Sequence, residues 1–247
     1  MNTITPSSIR ARLPHLYLPW LGVLGLAWMA ALCGAEPTFA QQMTAKQEPI
    51  PDEIWANMQG KSWHQRLANA KCARAKDCQC PPRESLVLLS VPYLDFEAQP
   101  KLGRLIVARS VTDEVGKAFT QIFESRQFQI QRMELVDVYG GDDDASMAAN
   151  NTSAFNCRLT TNGTRLSAHA SGEAIDINPV QNPYVRGSTT LPPAGKAFDE
   201  PAERSANTPG LITSDRIVFK AFDAQGWEWG GNWQNSKDYQ HFSKDGR

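Results

Sequence analysis

The chain has 247 residues, of which 41% are hydrophobic and 21% are charged, so it has enough apolar sequence for a sizeable folded core. Its formal net charge is -1, and the sequence therefore offers no basic surface of the kind that binds a nucleic-acid backbone. One apolar run approaches the length of a membrane span, and it lies near the N-terminus. A multi-span membrane protein is not expected from this pattern.

Residues 1–40 have the pattern of an export signal. Arg10 and Arg12 precede an apolar stretch from Leu16 to Cys33, and small residues come before Gln41. A basic N-terminal region, an apolar central region and small residues at the cleavage site are typical of a secretory signal. The stretch is long for a signal, so a retained membrane anchor stays an alternative. In either case we expect the rest of the chain to work in the periplasm or outside the cell.

Four cysteines follow this segment, and an even number in an oxidising compartment favours disulfides. They are Cys72, Cys78, Cys80 and Cys157. Cys78 and Cys80 are too close in sequence to pair comfortably, so we expect one of them to pair with Cys72 and the other with Cys157. A zinc knuckle is the alternative, and it is less favoured because the usual C-x2-C pairs are missing.

The next part of the sequence predicts strands and one amphipathic helix. The predicted elements in chain order are a polar linker at 41–52, a short helix at 53–70, a loop stapled by cysteines at 72–83, strands at 85–91 and 104–108, a helix from Ser110, and a strand at 129–138. The helix is indicated by apolar residues that recur at three- and four-residue spacing. The strands are indicated by segments rich in Leu, Val and Ile.

The remaining sequence is more polar. The segment from Gly140 to Asp144 predicts a solvated turn, because the glycine and the distal glutamate of a calcium loop are missing. Residues 186–210 are rich in Pro, Gly, Ser and Thr and are expected to form a surface excursion. A final helix is predicted to begin with Thr213 or Ser214 as its cap and to end near residue 225.

Together these elements predict an α+β fold, with a small antiparallel sheet flanked by helices. We expect a single domain at 85–247, preceded by an extension at 41–84 that contains the linker and three of the cysteines.

Two of the four histidines lie in contexts that indicate chemistry. His15 belongs to the export signal, and His64 stands alone, which is typical of a packed or surface residue. His169 is followed by Asp176, with Gly172 between them to allow a turn, so the imidazole and the carboxylate can converge. This spacing also arises by chance, and on its own it does not establish a metal site.

The second context is the segment Asp238-Tyr239-Gln240-His241. Two imidazoles and one carboxylate would make a site with three protein ligands and a fourth position for water, which is the pattern of catalytic zinc. Asp238 could then accept a proton from that water and pass it to a leaving amine.

These motifs resemble those of the zinc D-alanyl-D-alanine carboxypeptidases and L-alanyl-D-glutamate endopeptidases. The matching features are Ser-x-His-x-x-Gly-x-Ala-x-Asp at 167–176, Asp-x-x-His at 238–241, Phe-Asn-x-Arg at 155–158, and Asn178-Pro179 with Asn182-Pro183-Tyr184. The resemblance covers roughly Leu102 to Phe242 and is clearest from Asn150 to Tyr184.

The resemblance implies a zinc peptidase that cuts peptidoglycan stem peptides, and it does not specify whether the D-Ala-D-Ala or the L-Ala-D-Glu bond is cut. It implies that Zn²⁺ is bound by His169, Asp176 and His241. It also implies that Asp238 is the general base and that Arg158 holds a substrate carboxylate or the developing oxyanion. A structural salt bridge is the alternative role of Arg158. Ser167 and Asn156 are further candidates for binding substrate, with local orientation of its turn as the alternative role of Ser167. Asn156 and Asn178 are also expected to serve backbone hydrogen bonding near the site.

Two features depart from the family's pattern, namely Cys157 inside the arginine motif and the long segment at 186–210. Trp227, Trp229 and Trp233 are interpreted as core residues, with a cleft lining as the alternative.

The main alternative function is a non-catalytic cell-wall-binding domain that retains the fold. Such a domain would not need Asp238 or Arg158, and both are present. A serine hydrolase is less favoured because G-x-S-x-G does not occur in the sequence.

Overall fold

The computed structural model describes residues 43–58, 79–160, 165–205 and 207–246, all within one compact unit. The predicted export signal, the predicted helix beyond Met58, and the residues His15, His64, Cys72 and Cys78 lie outside these ranges. The predicted division at residues 40 and 84 therefore stays a prediction. No helix in the described ranges has both the length and the apolar character that crossing a membrane requires.

The described residues form short helices and several small sheets. The helices are α1 (Asp52–Met58), α2 (Thr112–Ser125), α3 (Asp143–Ala148) and α4 (Ile217–Asp223). The strands are β1 (Lys46–Glu48), β2 (Leu86–Leu94), β3 (Pro100–Ala108), β4 (Arg132–Met133), β5 (Asn151–Thr152), β6 (Ala174–Asp176), β7 (Tyr184–Arg186), β8 (Thr189–Leu191), β9 (Glu228–Trp229), β10 (Lys237–Asp238) and β11 (His241–Ser243).

Within the described ranges the strands form three antiparallel sheets, in the orders β1-β2-β3, β6-β11-β9 and β10-β7-β8, together with the parallel pair β4-β5. Helices and antiparallel sheets in one unit confirm the α+β class. The antiparallel structure is divided among several sheets, whereas the sequence predicted one.

The first sheet and α2 form the base of the domain. β2 and β3 pair in register from Leu86 opposite Ala108 to Leu94 opposite Pro100, so both predicted strands are confirmed and are longer than predicted. Nearly all of β2 is buried, because a neighbouring strand lies on each side and α2 packs on its face. The apolar face of α2, which includes Phe119, packs into this core and confirms the predicted helix.

Aromatic side chains tie the C-terminal strands to the base. Phe222 of α4 meets Phe119 edge to face, with 5.7 Å between ring centroids, and stacks on Phe242 of β11 at 4.7 Å. Trp227 contacts the same Phe222 ring at 5.5 Å. Aromatic contacts of this kind add to the free energy of burying the rings. Because Phe242 is fully buried, the residue before it, His241, is held at a fixed depth.

Two predicted boundaries in the first half are wrong. Within the predicted linker, Lys46–Glu48 pairs with β2, because the exposed edge of β2 offers unpaired backbone groups that a short polar strand can use. The predicted strand at 129–138 is strand only at β4, and Val136–Tyr139 forms a 3-10 helix instead. Most of its apolar residues are still buried, although Val138 is 61% exposed, so the alternating pattern indicated burial without an extended ladder.

The segment at 186–210 is not a surface excursion throughout, because Gly195, Asp199 and Gly210 are buried in it. Arg204 anchors this segment. Its guanidinium donates to the backbone oxygens of Gln181, Phe198 and Ile212 and lies 3.6 Å from the centroid of the Tyr239 ring. Packing of this kind combines hydrogen bonds with a cation–π contact.

The last helix also begins later than predicted. It starts at Ile217 after Arg216, and no side chain caps its first turn. Thr213 donates its hydroxyl to Asp215 instead, so the predicted cap forms a local contact before the helix.

Candidate metal centre and active site

The pairing of β6 with β11 brings the first two candidate ligands together. Asp176 lies directly opposite His241 in the antiparallel register, and Ile175 lies opposite Phe242. Residues opposite each other on antiparallel strands have side chains on the same face. Ile175 and Phe242 point into the core, so Asp176 and His241 point the other way, towards a cleft.

His169 reaches the same point from a 3-10 turn at Ala168–Ser171. The Ser167 hydroxyl caps this turn by accepting a hydrogen bond from the His169 backbone N–H at 3.3 Å. Gly172 ends the turn with φ at +76°, and a Cβ there would lie 2.6 Å from the backbone nitrogen of Ala108. Glycine is therefore needed both for the left-handed backbone and for the close approach to β3.

The three candidate ligands form one buried cluster. His169 Nε2 lies 3.2 Å from His241 Nδ1 and 3.1 Å from Asp176 Oδ2, and His241 Nδ1 lies 3.0 Å from Asp176 Oδ1. One ligand atom from each residue falls within 4.8 Å of the others. The three residues are only 3%, 5% and 4% exposed in chain order.

The hydrogen bonding of His169 indicates which of its nitrogens faces the cluster as an acceptor. Nδ1 lies 2.6 Å from the carbonyl oxygen of Ala154, which can only accept, so Nδ1 carries the proton. In the neutral ring Nε2 then presents a lone pair to Asp176 Oδ2. Two such buried groups at contact distance hold either a proton or a metal ion between them, and imidazole nitrogens with a carboxylate suit zinc. A carbonyl that orients a ligating imidazole is also typical of metal sites.

The electrostatics of Asp176 agree with a cation site. Burial on its own favours the neutral carboxyl, but positive charge on the adjacent His169 and His241 rings, together with their hydrogen bonds, outweighs it and holds the pKa of Asp176 well below its usual range. The carboxylate is therefore ionised and available as a ligand at neutral pH.

Asp238 lies beside this cluster, in β10, and lines the same cleft. Its Oδ1 atom is buried and has no hydrogen-bond partner within the described residues. The pKa of Asp238 is raised to about 6, chiefly by burial; the His241 ring opposes this rise, and the nearby Asp176 carboxylate contributes to it. A carboxyl group with such a pKa can exchange a proton near neutral pH.

Gly230 allows the 3-10 turn at Gly230–Asn232 to pack closely against β10. A Cβ at this position would lie 2.6 Å from the backbone oxygen of Asp238 and 2.8 Å from its Cβ. The absence of a side chain at Gly230 therefore sets the position of Asp238 relative to His241.

Arg158 is the positive group of the cleft. Its Nη2 lies 2.9 Å from Asp143 Oδ2, and its Nη1 donates to the Leu159 carbonyl at 3.2 Å. Burial on its own would lower the pKa of Arg158, but the Asp143 and Asp176 carboxylates outweigh it and raise that pKa. The guanidinium thus stays charged next to the candidate metal site.

The two candidate substrate-binding residues differ in position. Ser167 lines the cleft as well as capping its turn. Asn156 is buried, donates from Nδ2 to Asp143 Oδ1 at 3.1 Å, and does not line the cleft. This geometry favours a role for Asn156 in positioning Asp143 over the predicted contact with substrate. The side chain of Asn178 fixes backbone near the site. Its Nδ2 donates to the carbonyl oxygens of Gln129 and Gly210, and its Oδ1 accepts from the Gln131 backbone N–H.

The cleft above the cluster has a volume of about 860 Å³, within the range of small-molecule and peptide sites. Trp233 lines it and packs against the His241 ring, with 5.5 Å between centroids. Trp227 and Trp229 are buried and use their indole N–H groups to bond Glu114 and the Tyr239 carbonyl, so they are core residues.

A disulfide lies next to the arginine. Cys80 and Cys157 are bonded, with 5.9 Å between their Cα atoms. This is one of the two pairings expected for Cys157. The bond links Cys157, which immediately precedes Arg158, to the segment before β2. Cys157 also belongs to a second buried core cluster, with Leu86 and Phe155.

An α+β domain with two imidazoles and a carboxylate at the base of a cleft has the architecture and donor set of a metal-dependent hydrolase. Residues 160–244 match the family model described as D-alanyl-D-alanine carboxypeptidase. The match covers about a third of the chain and includes His169, Asp176, Asp238 and His241, and it confirms the family resemblance of these motifs. The match supports a peptidase activity for this domain. No curated protein and no solved structure matches the chain.

Asp143 is the residue of this site that the sequence analysis missed. The segment Gly140–Asp144 was expected to be a solvated turn, yet Asp143 begins α3 and contacts Arg158. Acidic residues in a first helical turn are common because they interact with the helix dipole. The local sequence therefore gave no signal that would separate Asp143 from its acidic neighbours.

Proposed function

We propose that this protein is a zinc-dependent peptidase that hydrolyses peptide bonds in peptidoglycan stem peptides. The bond would be of the D,D-carboxypeptidase or the L-Ala-D-Glu endopeptidase type. The observation that carries the proposal is the convergence of His169, Asp176 and His241 at the base of a cleft that Asp238 and Arg158 also line. The match to a carboxypeptidase family over residues 160–244 supports the substrate class.

Each residue has a role that follows from its chemistry. His169, Asp176 and His241 would hold the ion, and a bound zinc would act as a Lewis acid that activates water and polarises the scissile carbonyl. Asp238, with a pKa raised to about 6, would take a proton from the attacking water and deliver it to the leaving amine. Arg158 would stabilise negative charge as it develops on the carbonyl oxygen.

We further propose that the protein acts outside the cytoplasmic membrane, where peptidoglycan is accessible. The signal pattern at 1–40 supports export, and the Cys80–Cys157 disulfide fits an oxidising compartment. If residues 1–40 are retained, the same domain would be anchored at the membrane.

The direct test is mass spectrometry of purified muropeptides after incubation with the protein. The zinc-loaded chain is expected to release fragments that identify the bond, while chelation or His169→Ala abolishes release. His64→Ala, at a histidine outside both motifs, is the matched control and should leave cleavage and zinc content unchanged. Cleavage that persists in His169→Ala after chelation would contradict the metal-dependent mechanism.

A second variant separates catalysis from wall binding. Asp238→Asn keeps the size of the side chain and removes the group that exchanges protons, so it should retain zinc and lose turnover. A non-catalytic wall-binding domain would bind peptidoglycan equally well with either residue and would release no fragments in the wild-type form.

A further inference from the structure

Arg158 can stabilise charge in the cleft only if its side chain is held in place. An arginine side chain has several rotatable bonds, and ordering it costs conformational entropy. Small displacements of a stabilising group reduce catalysis sharply. The contacts that fix the guanidinium are therefore part of the proposed site.

Asp143 supplies the principal contact. One carboxylate oxygen, Oδ2, lies 2.9 Å from Arg158 Nη2, and the other, Oδ1, accepts from Asn156 Nδ2 at 3.1 Å. Because both oxygens are engaged, the carboxylate has a defined orientation. The two side chains of the ion pair are 15% and 20% exposed, so water screens it less than it would screen a surface pair.

The backbone connects this pair to the metal-site turn. The Asn156 backbone N–H donates to the His169 carbonyl at 3.1 Å, and the His169 imidazole bonds the Ala154 carbonyl. Asp143 itself is held by α3, whose first turn is capped by Asp142. The same hydrogen-bonded backbone segment therefore positions both His169 and Arg158.

We propose that Asp143 is a positioning residue, which holds the Arg158 guanidinium at the cleft so that its remaining N–H groups face the reacting carbonyl. This inference rests on the proposed peptidase function. Asp143 also lines the cleft, and in this role it acts through Arg158. Asn156 completes the arrangement by fixing the second oxygen of Asp143.

Kinetics with variants test this role. Asp143→Asn removes the charge but keeps the shape, and kcat for muropeptide cleavage is expected to fall roughly tenfold with little change in KM or zinc content. In an Arg158→Ala background the same substitution should have no further effect, because Asp143 acts only through Arg158. Asp144→Asn, in the same helical turn but exposed, is the matched control and should retain full activity. An equal loss from Asp143→Asn in both backgrounds would overturn the proposal.

A second readout does not depend on activity. In side-chain nitrogen NMR spectra of the full chain, Arg158 is assigned by comparison with Arg158→Lys. Its Nη signals should be resolved in the wild type and in Asp144→Asn, and should merge in Asp143→Asn and Asn156→Ala, because the guanidinium then rotates freely. Identical Arg158 signals in the wild type and both site variants would refute the positioning role. A wild-type protein that shows the expected NMR change but cuts no muropeptide would refute the peptidase and leave the positioning role standing.

Discussion

His169 is oriented by the backbone around it before any ion binds. Ala154 fixes its tautomer and the Ser167 cap fixes its turn, so Nε2 faces Asp176 with a lone pair. Preorganised ligands of this kind reduce the entropy cost of binding an ion. The residue identities at this site were predictable, because His169, Asp176, Asp238 and His241 occur in recognisable motifs.

The orientations at the site were not predictable, because they depend on residues far away in the sequence. Ala154 determines the His169 tautomer through a carbonyl that every residue type has, so no sequence signal marks it. No sequence signal marks Asp143 either, since its partner Arg158 lies outside α3.

The raised pKa of Asp238 predicts how the rate of cleavage depends on pH. The group is a base only when ionised, so cleavage should increase as the pH rises through the pKa of about 6 and level off above it. A bound cation favours the carboxylate, so the midpoint in the zinc form is expected at or below that value. The measurement is kcat/KM against pH at saturating zinc. A rate that falls as the pH rises through the same interval would show that the protonated form of Asp238 is the active one.

At the scale of elements, the site depends on strand register. Asp176 and His241 meet because β6 and β11 pair with these two residues opposite each other, and a shift of one strand by one residue would turn its own ligand side chain into the core. The sequence predicted the α2 helix and the first two long strands from their apolar patterns. It could not give the β6–β11 register, which depends on packing between Phe242 and α4.

The contact between Gly230 and Asp238 gives a test at this scale. Gly230→Ala would place a Cβ 2.6 Å from the Asp238 backbone oxygen, so β10 must move and Asp238 moves with it. We expect lower thermal stability together with a marked loss of kcat. Gly116→Ala in α2 is the control, since its new Cβ would lie 3.4 Å from Ala45, an ordinary contact. Full activity in Gly230→Ala would show that close packing of the Gly230 turn against β10 does not control Asp238.

At the scale of the whole molecule, two core clusters meet around the cleft. The larger one contains α2, α4 and the aromatic residues of the C-terminal strands, and the smaller one contains Phe155, Cys157 and Leu86. The arginine motif emerges from the smaller cluster directly after the disulfide. Sequence reasoning gave the fold class but not this arrangement, because the two clusters are assembled from contacts between distant segments.

The disulfide predicts a loss of stability when it is removed. A Cys80→Ser/Cys157→Ser variant should unfold with a free energy lower by roughly 2–4 kcal/mol, because the bond restricts the unfolded chain. Denaturant titration of the wild type and the variant measures the difference. Mass spectrometry of an unreduced digest should contain a peptide that joins Cys80 to Cys157. A joined peptide with Cys157 and any other cysteine would contradict the pairing.

The most direct test of the metal site is anomalous diffraction at the zinc edge from crystals of the zinc-loaded protein. A single strong peak is expected between His169 Nε2, His241 Nδ1 and the Asp176 carboxylate, about 2.0–2.2 Å from each ligand atom. No peak at that position, or zinc bound only at other side chains, would contradict the metal site on which the proposed peptidase depends.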